Sequence, residues 1–325
     1  MFTIDPELDA HAEEARTVNA AIAEMMGGDG DGEASGSLDF TTLEGVRSAR
    51  EAMAQGPLTG TRLDDVVDER TIDGPGGPVP LRVFVPDTVR GAYLDIHGGG
   101  WVVGTAAMDD EANWALAQAA DLAVVSVDYR LAPEHPHPAG PDDCEAAALW
   151  LLEHADGDFG TDQLLIGGGS AGGHLAATTL LRLRDRHDAA DRFSGANLVF
   201  GVYDLGLSPS QRSDGDEALV LTRSSMTACY EHFLPGMDAD QRRHPDLSPL
   251  YADLRDLPPA LFTVGTDDIL LDDTLFMAAR WAAAGNDTEL AVYPDSPHGF
   301  VMFPTGMAAA ANRRMADWAR ARLDA

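Results

Sequence analysis

Apolar residues recur along the chain in two rhythms. Over 6–26, Leu8, Ala12, Ala15, Val18, Ala21, Ile22 and Met25 fall at near-helical spacing, which predicts an amphipathic helix. A Gly/Asp/Ser/Glu stretch over 27–36 ends it. A second helix is predicted over 42–54, carrying Leu43, Val46, Arg47, Arg50 and Met53, with Gly56-Pro57 closing it. No strand signal precedes these helices, so 1–60 reads as a tail, a dimer arm or a lid.

Strand signals begin at Leu63. The runs 66–72 and 79–85 flank a Gly/Pro turn and predict a hairpin that ends at Pro86. Strands and helices then alternate. Strands are predicted over 92–96, 123–128, 164–166, 197–202, 259–264 and 289–293. Helices are predicted over 110–120, 141–153, after residue 170, over 272–284 and over 307–322. Such alternation implies a mostly parallel sheet, here of eight strands, with helices on both faces. The stretch 205–250 breaks the rhythm with Pro, Ser and Asp clusters around one helix near 224–233.

The strand over 164–166 runs into Gly167-Gly168-Gly169-Ser170-Ala171-Gly172-Gly173 and then a run of helix formers. Gly168-x-Ser170-x-Gly172 is the pattern of a sharp strand-to-helix turn that exposes a serine hydroxyl. Residues two places from such a serine must be very small, because strand and helix approach each other there. The helix start then points backbone N–H groups towards any negative charge that develops beside the serine.

A serine needs a base to become nucleophilic, and the base needs an orienting acid. Both are expected just past later strand ends, in the order serine, acid, histidine. Of ten histidines, His298 alone follows the last strand in a loop that can deliver a base. The acid is sought after 259–264, where Asp267, Asp268, Asp272 and Asp273 compete. N–H donors for an oxyanion are expected from Ala171 and from the triple glycine in His97-Gly98-Gly99-Gly100-Trp101.

Composition narrows the partners. The hydrophobic fraction of 45% is ordinary for a globular protein. No apolar run reaches the ~18 residues of a membrane helix, and no signal peptide is recognisable, so a cytoplasmic location is expected. Cys144 and Cys229 match no metal spacing and read as free thiols. Against 54 acidic residues stand 22 basic ones, all arginine, giving a formal charge of −32. That field repels nucleic acid and anionic lipid, so neither is expected as a partner. Extreme acidity without lysine resembles the surfaces of proteins from salt-loving microbes.

Four segments together resemble the hormone-sensitive-lipase family of α/β-hydrolase esterases. They are His97-Gly98-Gly99-Gly100-Trp101, Asp128-Tyr129-Arg130-Leu131-Ala132-Pro133-Glu134-His135-Pro136-x-Pro138-Ala139, Gly168-x-Ser170-Ala171-Gly172-Gly173 and His298-Gly299-Phe300. The resemblance spans nearly the whole chain. It implies an α/β-hydrolase domain over 61–325, a helical cap from 1–60 and a second cap insertion over 205–250. It implies Ser170 as nucleophile, His298 as base, and Gly99, Gly100 and Ala171 as oxyanion donors. Matching the family's Asp-Pro-Leu-x-Asp segment to Leu270 and Asp272 puts the acid at Asp268, with Asp267 as its rival because Ile269 replaces the proline. A second departure is Gly169, where the family commonly has an acidic residue. The implied activity is hydrolysis of short- to medium-chain carboxylic esters without metal or cofactor. The implied partner is a small-molecule ester, and a homodimer is a further candidate assembly. An amidase, aryl-formamidase or deacetylase on the same scaffold is the rival reading, and a non-catalytic binding protein the more distant one.

Overall fold

The alternating residues after Val67 build eight strands of one sheet: β1 (Val67–Gly74), β2 (Gly77–Phe84), β3 (Gly91–Ile96), β4 (Leu122–Val127), β5 (Leu164–Gly169), β6 (Phe193–Val199), β7 (Ala260–Asp267) and β8 (Thr288–Pro297). The computed structural model describes residues 5–26, 39–55, 62–213 and 218–324. Spatial order is β1-β2-β4-β3-β5-β6-β7-β8. The first two strands pair antiparallel through a tight turn in which Gly77 adopts φ 124°, and β2 meets β4 antiparallel. Every other neighbouring pair is parallel.

Ten α-helices accompany the sheet among the described residues: α1 (Asp9–Met26), α2 (Leu43–Gln55), α3 (Asp110–Ala120), α4 (Ala139–Phe159), α5 (Ala171–His187), α6 (Pro209–Ser213), α7 (Arg223–Phe233), α8 (Ala239–Arg242), α9 (Leu271–Ala283) and α10 (Gly306–Arg322). Successive strand residues point to opposite faces. Leu94, Val125, Ile166 and Phe262 join the core under α4, α5 and α9. Their neighbours Tyr93, Val124, Leu165 and Leu261 join the core under α3 and α10. Burial on both faces explains why these strands read as continuous apolar runs.

The expected elements are present, with one strand displaced. The pattern predicts a strand over 197–202, whereas β6 occupies Phe193–Val199. Ser194-Gly195 has the composition of a turn, yet Gly195 lies inside the strand because helix α10 crosses it closely. A Cβ at Gly195 would stand 2.7 Å from the Trp318 ring. The chain leaves the sheet at Phe200, whose φ is 36°. The loop predicted over 27–36 and the Gly56-Pro57 stop lie outside the described residues.

Helix α1 packs along β8 and α10. Asn19 Nδ2 donates to the Asp295 carbonyl at 2.8 Å, Arg16 pairs with the Asp295 carboxylate at 2.7 Å, and Glu14 accepts the Gly306 N–H at 2.7 Å. The antiparallel edge is locked differently. Arg82 on β2 is 6% exposed and makes a two-pronged bond to the fully buried Asp110 at the start of α3, at 2.8 and 2.6 Å. Cys144 and Cys229 are both buried and free. Among the described residues no helix is long and apolar enough to cross a membrane.

Candidate active site

The carboxyl ends of β3, β5, β6, β7 and β8 point to one rim of the sheet, and the loops leaving them meet there. Ser170 stands between β5 and α5 with φ 59° and ψ −120°, a conformation that side-chain-bearing residues adopt only under constraint. Backbone bonds hold it: its N–H donates to the Val199 carbonyl at 2.9 Å, and its carbonyl accepts the His174 N–H at 3.1 Å. The flanking glycines are obligatory. A Cβ on Gly172 would overlap the Ile96 carbonyl oxygen, and one on Gly168 would lie 2.7 Å from the Gly172 carbonyl carbon.

His298 follows β8 and faces the serine, with Nε2 2.9 Å from Ser170 Oγ. Its other ring nitrogen, Nδ1, lies 2.9 Å from Asp268 Oδ2. A carboxylate only accepts, so Nδ1 carries the proton and Nε2 presents its lone pair to the serine. The second oxygen of Asp268 accepts the Leu270 N–H at 2.8 Å, which fixes the carboxylate plane. Asp268 is 1% exposed, so little water competes for these bonds.

The other candidate acids are engaged elsewhere. Asp267 is exposed and accepts the Thr266 hydroxyl at 3.0 Å. Asp272 accepts the Ser210 N–H at 2.8 Å. Asp273 is buried and accepts the N–H groups of Tyr203 and Asp204 and the Gln211 amide, each at 2.8 Å, and burial pushes its pKa up to about 6.

Opposite the imidazole, the loop after β3 folds over the elbow. Gly98 approaches so closely that a Cβ there would be 3.0 Å from the Gly169 carbonyl. Gly99, Gly100 and Trp101 take φ 109°, 60° and 61°. The Gly99 carbonyl accepts the N–H groups of Val102 and Val103 at 3.1 and 2.9 Å, so the turn closes on itself. Among the described residues, the N–H groups of Gly99, Gly100 and Ala171 have no hydrogen-bond acceptor. The segment after β4 braces this loop from below. Tyr129 donates its hydroxyl to the His97 carbonyl at 3.0 Å and stacks on the His97 ring at 4.2 Å. The Trp101 carbonyl accepts the Ala132 N–H at 2.9 Å, and Asp128 accepts that of Ala106 at 3.0 Å.

Three residues at the rim carry no obvious sequence signal. Phe200 lies edge-on to the His298 ring, with centroids 4.8 Å apart. The same ring fills the space above Gly169, where a Cβ would come within 3.1 Å of it. A side chain at 169 would need the Phe200 ring to shift by a few tenths of an ångström. Arg50 on α2 donates to the carbonyls of Val102 and Ala132, both at 2.8 Å, and pairs with Glu134 through two bonds of 2.9 Å. His174 lies one helical turn after Ser170 and bonds to the Trp101 indole. A charged arginine at helical spacing reads as surface, and a histidine inside a helix reads as filler, so neither is recognisable without the neighbours that folding supplies.

Comparison with known proteins agrees with this geometry. A model of the α/β-hydrolase fold family matches residues 93–302. The chain is 37% identical over 290 residues to the carboxylesterase NlhH of Mycobacterium tuberculosis, covering 84% of this chain and 88% of that protein. A hyperthermophilic esterase from the archaeon Pyrobaculum calidifontis superposes with a TM-score of 0.79 at 28% identity, covering 100% of both chains. A hormone-sensitive lipase from a metagenome library superposes with a TM-score of 0.80 at 28% identity, covering 95% of this chain and 98% of that one. The glycine-hinged serine, its paired histidine and these likenesses together place the chain in the α/β-hydrolase fold family, within its hormone-sensitive-lipase-like group.

Proposed function

We propose that the protein is a serine carboxylesterase that cleaves short- to medium-chain acyl esters through an acyl-enzyme. One observation carries this reading: Asp268, His298 and Ser170 form an unbroken hydrogen-bonded chain beside three N–H groups that have no acceptor among the described residues. His298 Nε2 takes the hydroxyl proton as Ser170 Oγ attacks the ester carbonyl carbon. Asp268 keeps the imidazole in the required tautomer and stabilises the imidazolium. The N–H groups of Gly99, Gly100 and Ala171 receive the carbonyl oxygen as it becomes an oxyanion. Being fixed by the glycine loop and by the start of α5, they need no reorganisation as charge develops. The imidazolium returns its proton to the departing alkoxide oxygen. Water activated by the same imidazole then clears the acyl group from Ser170, and the carboxylic acid leaves.

Residues 1–60 and 205–250 serve in this reading as a cap that sets the size of acyl and alcohol accepted. Supporting this, α2 anchors on the loop of Gly99 through Arg50, and the insertion supplies Cys229, whose Sγ would lie 2.8 Å from a Cβ on Gly100. The close packing there favours short acyl groups over long ones.

The test is a panel of nitrophenyl esters from acetate to palmitate, with matching anilides, assayed in molar salt. Turnover is expected to peak at short to medium chains and to fall at palmitate, with anilides much slower. Ser170→Ala is expected to lower kcat by roughly 10⁴-fold or more, because triad members act as a unit. Anilide turnover equal to ester turnover would move the assignment to an amidase. A Ser170→Ala variant retaining a tenth of the activity would remove Ser170 from the mechanism.

A further inference from the structure

Trp101 holds the least favourable backbone in the loop that carries the oxyanion donors. Its φ is 61°, and unlike Gly99 and Gly100 it has a side chain to pay for in that region. Something must therefore hold the indole. It is 1% exposed and stacks on Phe233 of α7 with centroids 4.7 Å apart and planes within 7°. Stacking fixes the plane of the ring but lets it slide. Tyr230 also lies against the ring, with centroids 5.9 Å apart, and among the described residues one hydrogen bond tethers its N–H edge, from Trp101 Nε1 to His174 Nδ1 at 3.1 Å.

The chemistry of the two partners leaves His174 one usable form. An indole N–H only donates, so Nδ1 must present its lone pair. The other nitrogen, Nε2, lies 2.8 Å from the Leu247 carbonyl, which only accepts, so Nε2 must carry the proton. Burial pushes the His174 pKa down to about 4, with His137 and Arg182 nearby acting in the same direction, so the ring is neutral as both bonds require. Leu247 is itself anchored. The next residue, Ser248, accepts the Leu205 N–H at 2.9 Å and donates to the Arg242 carbonyl at 2.6 Å, and Leu250 donates to the Tyr203 carbonyl at 3.1 Å. His174 is thus a rigid spacer between a fixed carbonyl in the 205–250 insertion and the strained residue next to Gly100. It springs from the same helix that begins beside Ser170.

We propose that His174 is a positioning residue for the oxyanion loop: by accepting from Trp101 Nε1 and donating to the Leu247 carbonyl, it holds the Gly99 and Gly100 N–H groups in register with Ser170. The role rests on the ester-hydrolase reading above. A transition-state role of this kind acts on kcat and leaves ground-state binding nearly untouched.

The experiment compares His174→Phe, His174→Gln and Trp101→Phe with wild type on nitrophenyl butyrate, after melting curves establish that each is folded. Phenylalanine keeps the bulk of the ring and makes neither bond. Its kcat is expected to fall roughly 10- to 100-fold, as for a small misplacement of reacting groups, with KM within about threefold. Glutamine supplies both an acceptor and a donor at similar reach, and is expected to recover most of that loss. Trp101→Phe keeps an aromatic ring on Phe233 and deletes the N–H. It is expected to lower kcat about tenfold with KM unchanged, and it carries the test if His174→Phe does not fold. A folded His174→Phe with kcat within twofold of wild type overturns the inference, as does a glutamine variant no better than phenylalanine. An unchanged kcat in Trp101→Phe also overturns it. Wild type inactive on every ester would instead sink the hydrolase reading itself.

Discussion

Asp267 and Asp268 adjoin in the chain yet live in opposite environments: Asp268 is buried with its Oδ2 on His298, while Asp267 is exposed with its carboxylate on Thr266. The pair gives a test with an internal control. Asp268→Asn offers His298 an amide that can donate to Nδ1, favouring the wrong tautomer, and is expected to lower kcat by roughly 10³- to 10⁴-fold. Asp267→Asn is expected to stay within a fewfold of wild type. Kinetics of both variants on one ester decide it, and a dead Asp267→Asn with an active Asp268→Asn would reverse the assignment.

Arg50 links α2 to the loop after β3 and the segment that braces it by bonds of unequal value. Its bonds to the Val102 and Ala132 carbonyls are partly buried, whereas Glu134, its ionic partner, is 54% exposed. Arg50→Ala is expected to cost about 2 kcal/mol of stability, as for hydrogen bonds from a charged donor, and to shift chain-length preference. Glu134→Gln removes only the exposed pair and is expected to cost about 1 kcal/mol or less. Chemical denaturation of both variants, with the ester panel alongside, checks this. Equal losses from the two would show that the ion pair, not the carbonyl bonds, fastens the helix.

Two histidines, His174 buried and His137 half-buried, withdraw stability as the pH falls. Burial pushes His137, like His174, down to about 4 from an ordinary value near 6.5. Above pH 6.5 neither state binds the protons. Between 6.5 and 4 the unfolded chain takes them up and the native chain refuses, so stability falls as pH falls, by up to about 1.4 kcal/mol per pH unit for each histidine. Asp273 works the other way. Its pKa is raised to about 6, so between 6 and 3.8 the native chain holds a proton that the unfolded chain releases. Asp109 opposes them as well, its carboxyl pushed up to about 8 by burial and by the nearby Asp95 and Asp110, so two aspartates stand against two histidines and the expectation is read from a difference: wild type is expected to lose stability relative to His137→Gln as pH falls from 6.5 towards 4. Urea melts in molar salt, where long-range charge is screened, are the measurement. A His137→Gln variant whose stability difference from wild type stays constant over that range would contradict this.

The charge of −32 makes salt a structural variable. At ~0.01 M salt the Debye length is about 30 Å and most of the surface repels itself, while at ~1 M it is about 3 Å. Melting temperature and activity are therefore expected to rise from low to molar KCl, with most of the gain from screening arriving early. Arginine suits this surface because one guanidinium serves several carboxylates. Arg82 reaches Asp64, Glu69 and Asp110 at once. Equal melting temperatures at ~0.05 M and ~2 M KCl would mean that the acidic surface is no adaptation to salt.

Much of the fold was legible because both faces of the sheet are buried, so strands appear as apolar runs and helices as periodic ones. The elbow was legible because sterics at Ser170 admit almost nothing but glycine two residues away. Gly195 misled for the same reason turned around: a glycine reads as a turn, but here it makes room for Trp318. The pattern around residue 268 brought four aspartates into contention, and only the folded loop decides which of them meets His298. Arg50, His174 and Phe200 stayed silent because their roles consist of contacts between segments far apart in the chain, where no local spacing records them.

The crossing of Trp318 over Gly195 has a consequence for biosynthesis. Leu323 makes a similar approach to Gly91, where a Cβ would lie in its path, so the final turns of α10 close over β3 and β6 together. A ribosome makes these residues after all eight strands. Until they emerge, the sheet face bearing Tyr93, Leu165 and Val124 has α3 but lacks the end of α10 as cover, although every strand has already been synthesised. The nascent chain thus already holds the Ser170–His298–Asp268 rim while one face of the sheet is only partly covered. A premature stop ahead of Trp318 would leave that apolar surface permanently open to chaperones and to other chains.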